Sequence, residues 1–207
     1  MLSRSGGDLV TSTSIQVLES EDQMLELANR LLPAWMTLGF RDFGCTIHSV
    51  GCSYFNALGE QLGYQSISEL PVEHRGQFAF VGGGVRCDSA WFTKDKFEPI
   101  ALVEFERYVG STDMGDLITK VKNLVLACHR NVAPPAVSIL AYWTKNSQLL
   151  PDHERLRSIF RMGFETPGRQ RVPGVLGSQL RIYQMVHEPV ERSDRWRLWK
   201  IKERTTA

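Results

Sequence analysis

The stretch ALVEFERYVG, residues 101–110, decides how the chain reads. Ala101, Leu102, Val103 and Phe105 belong to an apolar run that predicts a buried strand, yet Glu104 and Glu106 interrupt it. Side chains at i and i+2 of a strand share a face, so the two carboxylates would stand side by side and repel. Burying unpaired charge is costly, so a compensating partner is expected nearby.

Working outward, GVRCDSAWF before this strand predicts another from Val85 to Phe92, joined through the turn-like TKDK to a second strand running from Glu98 or Ile100 to Tyr108. In the first strand Asp88 shares parity with Arg86 and Ala90, while Cys87, Ser89 and Trp91 face the other way. STDMGDLITKVKNLVLACHRN predicts a helix capped by Thr112 or Asp113, with an apolar stripe of Leu117, Val121, Leu124, Val125 and Cys128. PPAVSILAYWT then reads as a buried strand, DHERLRSIFRMGF as a short basic helix and QLRIYQMV as a late strand. Upstream, Ser20 is the candidate cap of a helix ended by Pro33, and a second helix is expected around YFNALGEQLG. A hairpin feeding a crossover helix and a further strand predicts an α/β fold, a mixed central β-sheet flanked by helices.

The chain's 207 residues suit one domain: a loose, polar arm over 1–20, or a short edge strand around Ile15 to Leu18 within it, then a single α/β domain over 21–207. Its net charge of +1 hides an uneven distribution. From Pro151 to Ala207 there are twelve basic residues against seven acidic, and the run RWRLWKIKER sets Arg195, Arg197, Lys200 and Lys202 among Trp196 and Trp199. Guanidinium groups pair with phosphates and indoles stack on bases, so this basic part, about 151–207, is a candidate nucleic-acid surface. An ordinary solvated strand or helix fits the same residues equally well.

Cys45, Cys52, Cys87 and Cys128 show no CxxC or Cys/His zinc spacing and read as buried reduced thiols. The five histidines are scattered without a metal spacing, and each reads as a surface or satisfied core residue. No run of about 20 apolar residues and no signal-peptide core occur, so the chain reads as cytoplasmic with no membrane partner. VGGGV, residues 81–85, lacks the residues of a phosphate-binding loop and reads as a turn.

An acid on one strand, Glu-x-Glu on the next, then a helix and another strand allow Asp88, Glu104 and Glu106 to converge on a cation. Mg²⁺, or Mn²⁺ in its place, is held by one or two carboxylates and suits such a group, with Asp88 and Glu104 as metal ligands. VRCDSAWF, ALVEFERY and the helix after them resemble the PD-(D/E)XK nuclease superfamily over roughly residues 53–145. The resemblance implies a restriction-endonuclease-like core and Mg²⁺-dependent cleavage of nucleic acid, with DNA as the expected substrate and Asp88, Glu104 and Glu106 as catalytic residues. Glu106 stands where the motif usually has lysine, although some restriction endonucleases of the superfamily carry Glu-x-Glu there. In other members the lysine sits on a nearby element, which makes Lys120 and Lys122 the candidates here, ranked below Glu106. Glu60 stands where some relatives carry a helix acid that joins the metal site, but it reads first as a solvated helix residue, and a homodimer is expected if both strands are cut. The competing readings are that Glu104 and Glu106 line the solvent face of an edge strand or pair with Arg86 and Arg107 in salt bridges, that the chain is a non-catalytic nucleic-acid-binding or assembly module that lost the lysine, and that it is a structural or partner-binding α/β protein whose basic end binds protein.

Overall fold

The computed structural model describes residues 18–43 and 45–204. Of the strand expected around Ile15 to Leu18, Ile15 to Val17 lie outside them, like most of the polar arm, and Leu18 is in a turn. Residues 18–20 are not loose: the buried Leu18 carbonyl accepts from the Tyr183 hydroxyl at 2.5 Å, and Glu19 pairs with Arg181 at 2.8 Å.

Helix α1 (Glu21–Leu31) starts at Ser20, whose hydroxyl accepts from the Gln23 N–H, and Glu21 and Asp22 complement the positive end of its dipole. Pro33 ends it and opens the short α2 (Pro33–Thr37), which leads into β1 (Phe40–Arg41). Then come α3 (Cys45–Gln61), β2 (Gln65–Pro71), β3 (Arg86–Phe92), β4 (Pro99–Arg107) and α4 (Met114–Arg130). Strand β5 (Val137–Thr144), buried along all eight residues, is followed by α5 (His153–Met162) and a small hairpin of β6 (Phe164–Glu165) and β7 (Arg171–Val172). The long β8 (Gln179–Pro189) and β9 (Arg195–Glu203) complete the described chain.

Seven strands form one mixed sheet in the order β1-β9-β8-β5-β4-β3-β2. The central β4, β5 and β8 are parallel, linked by crossovers through α4 and α5, and the flanking pairs are antiparallel. Two apolar cores result. Trp91, Val103, Phe105, Ile139 and Trp143 pack with α1, α2 and α3 on one face, while Leu102, Leu140, Tyr142 and Ile182 pack with α4 and α5 on the other.

The alternation along β4 therefore sends Val103 and Phe105 to the α3 side and Leu102 to the α4 side, and Glu104 goes with Leu102. Cys87 departs from the expected alternation, since it lies in the core on the α4 side. Cys45 is exposed at the start of α3, whereas Cys52, Cys87 and Cys128 are buried, as free thiols. Strands β2 and β9 and the full length of α3 go beyond what the residue pattern alone predicts. Among the described residues no helix is long and apolar enough to cross a membrane.

Candidate active site

The central feature is a fork in the sheet. The β3–β4 ladder runs from Phe92 and Pro99 to Ser89 and Val103 and stops there, although β3 pairs with β2 on to Arg86. Continued by one step, these registers put Glu69 of β2, Asp88 of β3 and Glu104 of β4 in a single cross-strand row. Glu69 holds a left-handed backbone, φ 53°, within that row. At the fork the Asp88 side chain takes the place of a ladder partner: its Oδ2 accepts the Phe105 N–H at 2.7 Å. The carboxylate thereby sits in the gap between strands and meets groups from both helical layers.

From the α4 side comes Lys120. Its Nζ donates to Asp88 Oδ2 at 2.9 Å and lies 2.7 Å from Glu104 Oε2. The Glu104 side chain is 0% exposed, and neither of its oxygens has a well-directed hydrogen-bond partner. Burial pushes Glu104 well above the ordinary carboxylate range; Lys120 opposes the rise and Asp88 adds to it. Burial also works against the Lys120 ammonium, but Glu104 and Asp88 beside it hold its pKa above the usual lysine value. Both directions express one fact: two acids and one lysine in a dry site carry a surplus negative charge that a proton or a metal ion can offset.

From the α3 side come His48 and Cys52, one helical turn apart. His48 Nε2 lies 3.7 Å from Asp88 Oδ1 and 3.5 Å from Cys52 Sγ. With Glu69 these residues offer four ligand atoms all within 4.8 Å of one another. Burial, with Asp88 and Glu69 nearby, pushes the Cys52 thiol up to about 12. Gly51 sets the distance: a Cβ there would lie 2.1 Å from the Phe105 ring, so only glycine lets α3 lie this close to β4.

The other predicted residues lie elsewhere. Glu106 is half-buried and its carboxylate folds back to accept its neighbour's N–H, from Arg107 at 2.8 Å. Lys122 lies over the Phe164 ring at 5.1 Å. Glu60 is exposed near the far end of α3, by Tyr64 and Lys94. The salt bridges considered from sequence also differ: Arg86 pairs with Glu69 and Arg107 with Asp42.

The basic run forms β9, three strands from β4, about 14 Å at the usual strand spacing. Lys202 shares a row with Gln184, Tyr142 and Glu106, Lys200 shares one with Val186 and Thr144, and Arg195 and Arg197 lie further along. Lys200 and Lys202 flank the buried Ile201 and so point away from the α1–α3 layer; Lys200 lies over Trp199. Arg197 is paired with Glu188, and Arg195 is exposed.

Of the sequence candidates, the fold unites Asp88, Glu104 and Lys120. The residues that sequence reasoning missed are His48, Cys52 and Glu69. Their signal was local for the first two, a His and a Cys four apart in HSVGC, which share a helix face once α3 is known to reach back to Cys45. The buried Glu104 carboxylate, which has no well-directed hydrogen bond and meets the Lys120 ammonium beside Asp88, fits a hard cation with oxygen ligands, so these two residues are the pair that would hold Mg²⁺. No protein-family model, curated protein or solved structure matches the chain.

Proposed function

We propose that the protein is a metal-dependent phosphodiesterase acting on nucleic acid, a DNA endonuclease built on a restriction-endonuclease-like core as a variant of the PD-(D/E)XK plan. The observation that carries this reading is the convergence of Asp88, Glu104 and Lys120 at the fork, with Glu104 fully buried and its oxygens lacking directed hydrogen bonds. A protein selected for stability alone gains little from such a group, because a buried acid pair with one lysine is poorly compensated.

Asp88 and Glu104 would hold Mg²⁺ or Mn²⁺, and the bound ion supplies charge neutralisation at the phosphodiester and a more acidic water. The chain's own groups do the remainder. Asp88 is oriented by the Phe105 N–H, so its carboxylate is fixed before substrate arrives. Lys120, 17% exposed at the rim, supplies the cation that the usual Glu-x-Lys pattern places on the strand; its ammonium is positioned to stabilise charge developing on the phosphate. Glu106, turned onto the Arg107 N–H, takes no part in this reading. The basic face of β9 would engage the DNA backbone at a distance from the cut.

Cleavage of supercoiled plasmid and of single-stranded DNA with Mg²⁺ or Mn²⁺ tests the reading. Asp88→Asn and Lys120→Met are expected to lower the rate by at least about a hundredfold, while Glu106→Gln retains it. Absence of cleavage by the native protein with either metal would overturn it and favour a non-catalytic nucleic-acid-binding module.

A further inference from the structure

The row of acids has two gaps, and Lys120 fills only one of them. Between Asp88 and Glu104 stands its ammonium, which pairs with both; among the described residues no lysine or arginine pairs with both Glu69 and Asp88, and Arg86 meets Glu69 alone, through Oε2 at 2.6 Å. Two carboxylates directly across a strand pair repel. What faces this second gap is His48 and Cys52, whose nitrogen and sulfur are metal-ligand types.

The spacing is informative. In a four-coordinate zinc site with bonds of about 2.0–2.3 Å, neighbouring ligand atoms stand about 3.3–3.7 Å apart by tetrahedral geometry. His48 Nε2 to Cys52 Sγ, at 3.5 Å, and His48 Nε2 to Asp88 Oδ1, at 3.7 Å, already have that separation. The widest pair among the four is no more than 4.8 Å, a closure of about 1 Å that side-chain rotation can supply. Asp88 is 7% exposed, and its Oδ1 is aimed at His48 from beyond hydrogen-bond distance, while its Oδ2 is already used by Phe105 and Lys120. His48 is 30% exposed, which leaves an entry path.

We propose that His48, Cys52, Glu69 and Asp88 form a second cation site that takes a borderline transition metal, Zn²⁺ before Mg²⁺. An N, S, O, O donor set suits zinc and disfavours magnesium, which demands oxygen ligands and octahedral geometry. Four protein ligands close the coordination sphere, so the ion is structural. It ties α3 to β2 and β3, offsets the Glu69–Asp88 repulsion and fixes the unused oxygen of Asp88, beside but apart from the position between Asp88 and Glu104. This inference does not rest on nuclease activity, because its test is metal binding.

The experiment is titration of the full-length protein with Co²⁺ as a spectroscopic stand-in for Zn²⁺, followed by Zn²⁺ displacement. One equivalent is expected, with intense visible d–d bands of four-coordinate Co²⁺ and a near-ultraviolet thiolate charge-transfer band. Zn²⁺ removes both signals, and a large excess of Mg²⁺ does not. Cys52→Ser abolishes the charge-transfer band, His48→Ala weakens affinity at least about tenfold, and Cys45→Ser, which alters the exposed thiol, changes neither. Sub-stoichiometric binding, absence of a thiolate band, or a band that follows Cys45 instead of Cys52 would overturn the proposal. If the native protein binds Co²⁺ in this way yet cleaves no DNA, the site stands and the nuclease reading fails.

Discussion

At the residue scale the molecule tolerates one arrangement that stability alone disfavours. Glu104 has no exposure, and Lys120 is the cation that stands between it and Asp88. Removing Lys120 leaves two buried acids facing each other, so Lys120→Ala should destabilise by about 3–5 kcal/mol, measurable by urea unfolding at neutral pH. Asp88 and Glu104 were legible in sequence because acids stand out in apolar strands. Lys120 was harder to place: it flanks the helix's apolar stripe, and only the way α4 packs on β3 and β4 turns that flank toward the acids. Glu106 shows the converse, since spacing of two put it beside Glu104 in pattern, while an N–H one residue away captured its carboxylate.

His187 gives a second test at this scale. Its Nε2 accepts from the Trp35 indole N–H at 2.9 Å and its Nδ1 lies 3.1 Å from the Met185 carbonyl, which together define the neutral Nδ1–H tautomer. Burial lowers its pKa from 6.5 to about 4. Because the folded value is depressed, the stability tied to neutral His187 is fully present above pH 6.5 and is lost as pH falls toward 4. For this 1% exposed side chain the loss is about 3 kcal/mol. Urea midpoints should fall across that window, and less steeply in His187→Gln; equal slopes would contradict the assignment.

At the element scale, α3 is the helix that makes the site two-sided. Its glycine at 51 admits the Phe105 ring, and the helix then brings His48 to Asp88. Gly51→Ala improves helix propensity by about 1 kcal/mol but places a methyl inside van der Waals contact with a buried ring. The clash should win, with a net loss of about 1–3 kcal/mol by thermal unfolding and weaker Co²⁺ binding; a stabilised variant with unchanged binding would refute the close approach. The hairpin of β3 and β4 and the crossovers through α4 and α5 were readable because their apolar residues follow strand and helix periods. Strand β2 was not: QSISELP is mostly exposed or half-buried and carries the left-handed Glu69, so its strand character comes from pairing with β3 and not from local pattern.

At the scale of the whole molecule, the proposed reading puts chemistry and binding on different strands of the sheet. The fork lies between β3 and β4, and the basic β9 lies three strands away, beyond β5 and β8. Phosphate contacts from Arg195, Lys200 and Lys202 would make DNA affinity fall steeply with salt. Replacing all three by alanine should flatten the slope of log affinity against log salt by about 2–3 and leave thermal stability nearly unchanged, as expected for exposed or half-buried side chains. An unaltered slope would remove β9 from the binding surface.

On the proposed reading the buried acids serve function at the expense of stability, and Glu104→Gln tests this most directly. Gln keeps the shape of Glu104 and removes the surplus charge, leaving Asp88 and Lys120 as a neutral pair. Thermal unfolding and metal-dependent DNA cleavage measured on the same preparation should move in opposite directions: stability rises by about 1–3 kcal/mol and cleavage is abolished. A variant that loses stability and cleaves DNA as the native protein does would show that Glu104 is a structural salt-bridge partner and contradict the account.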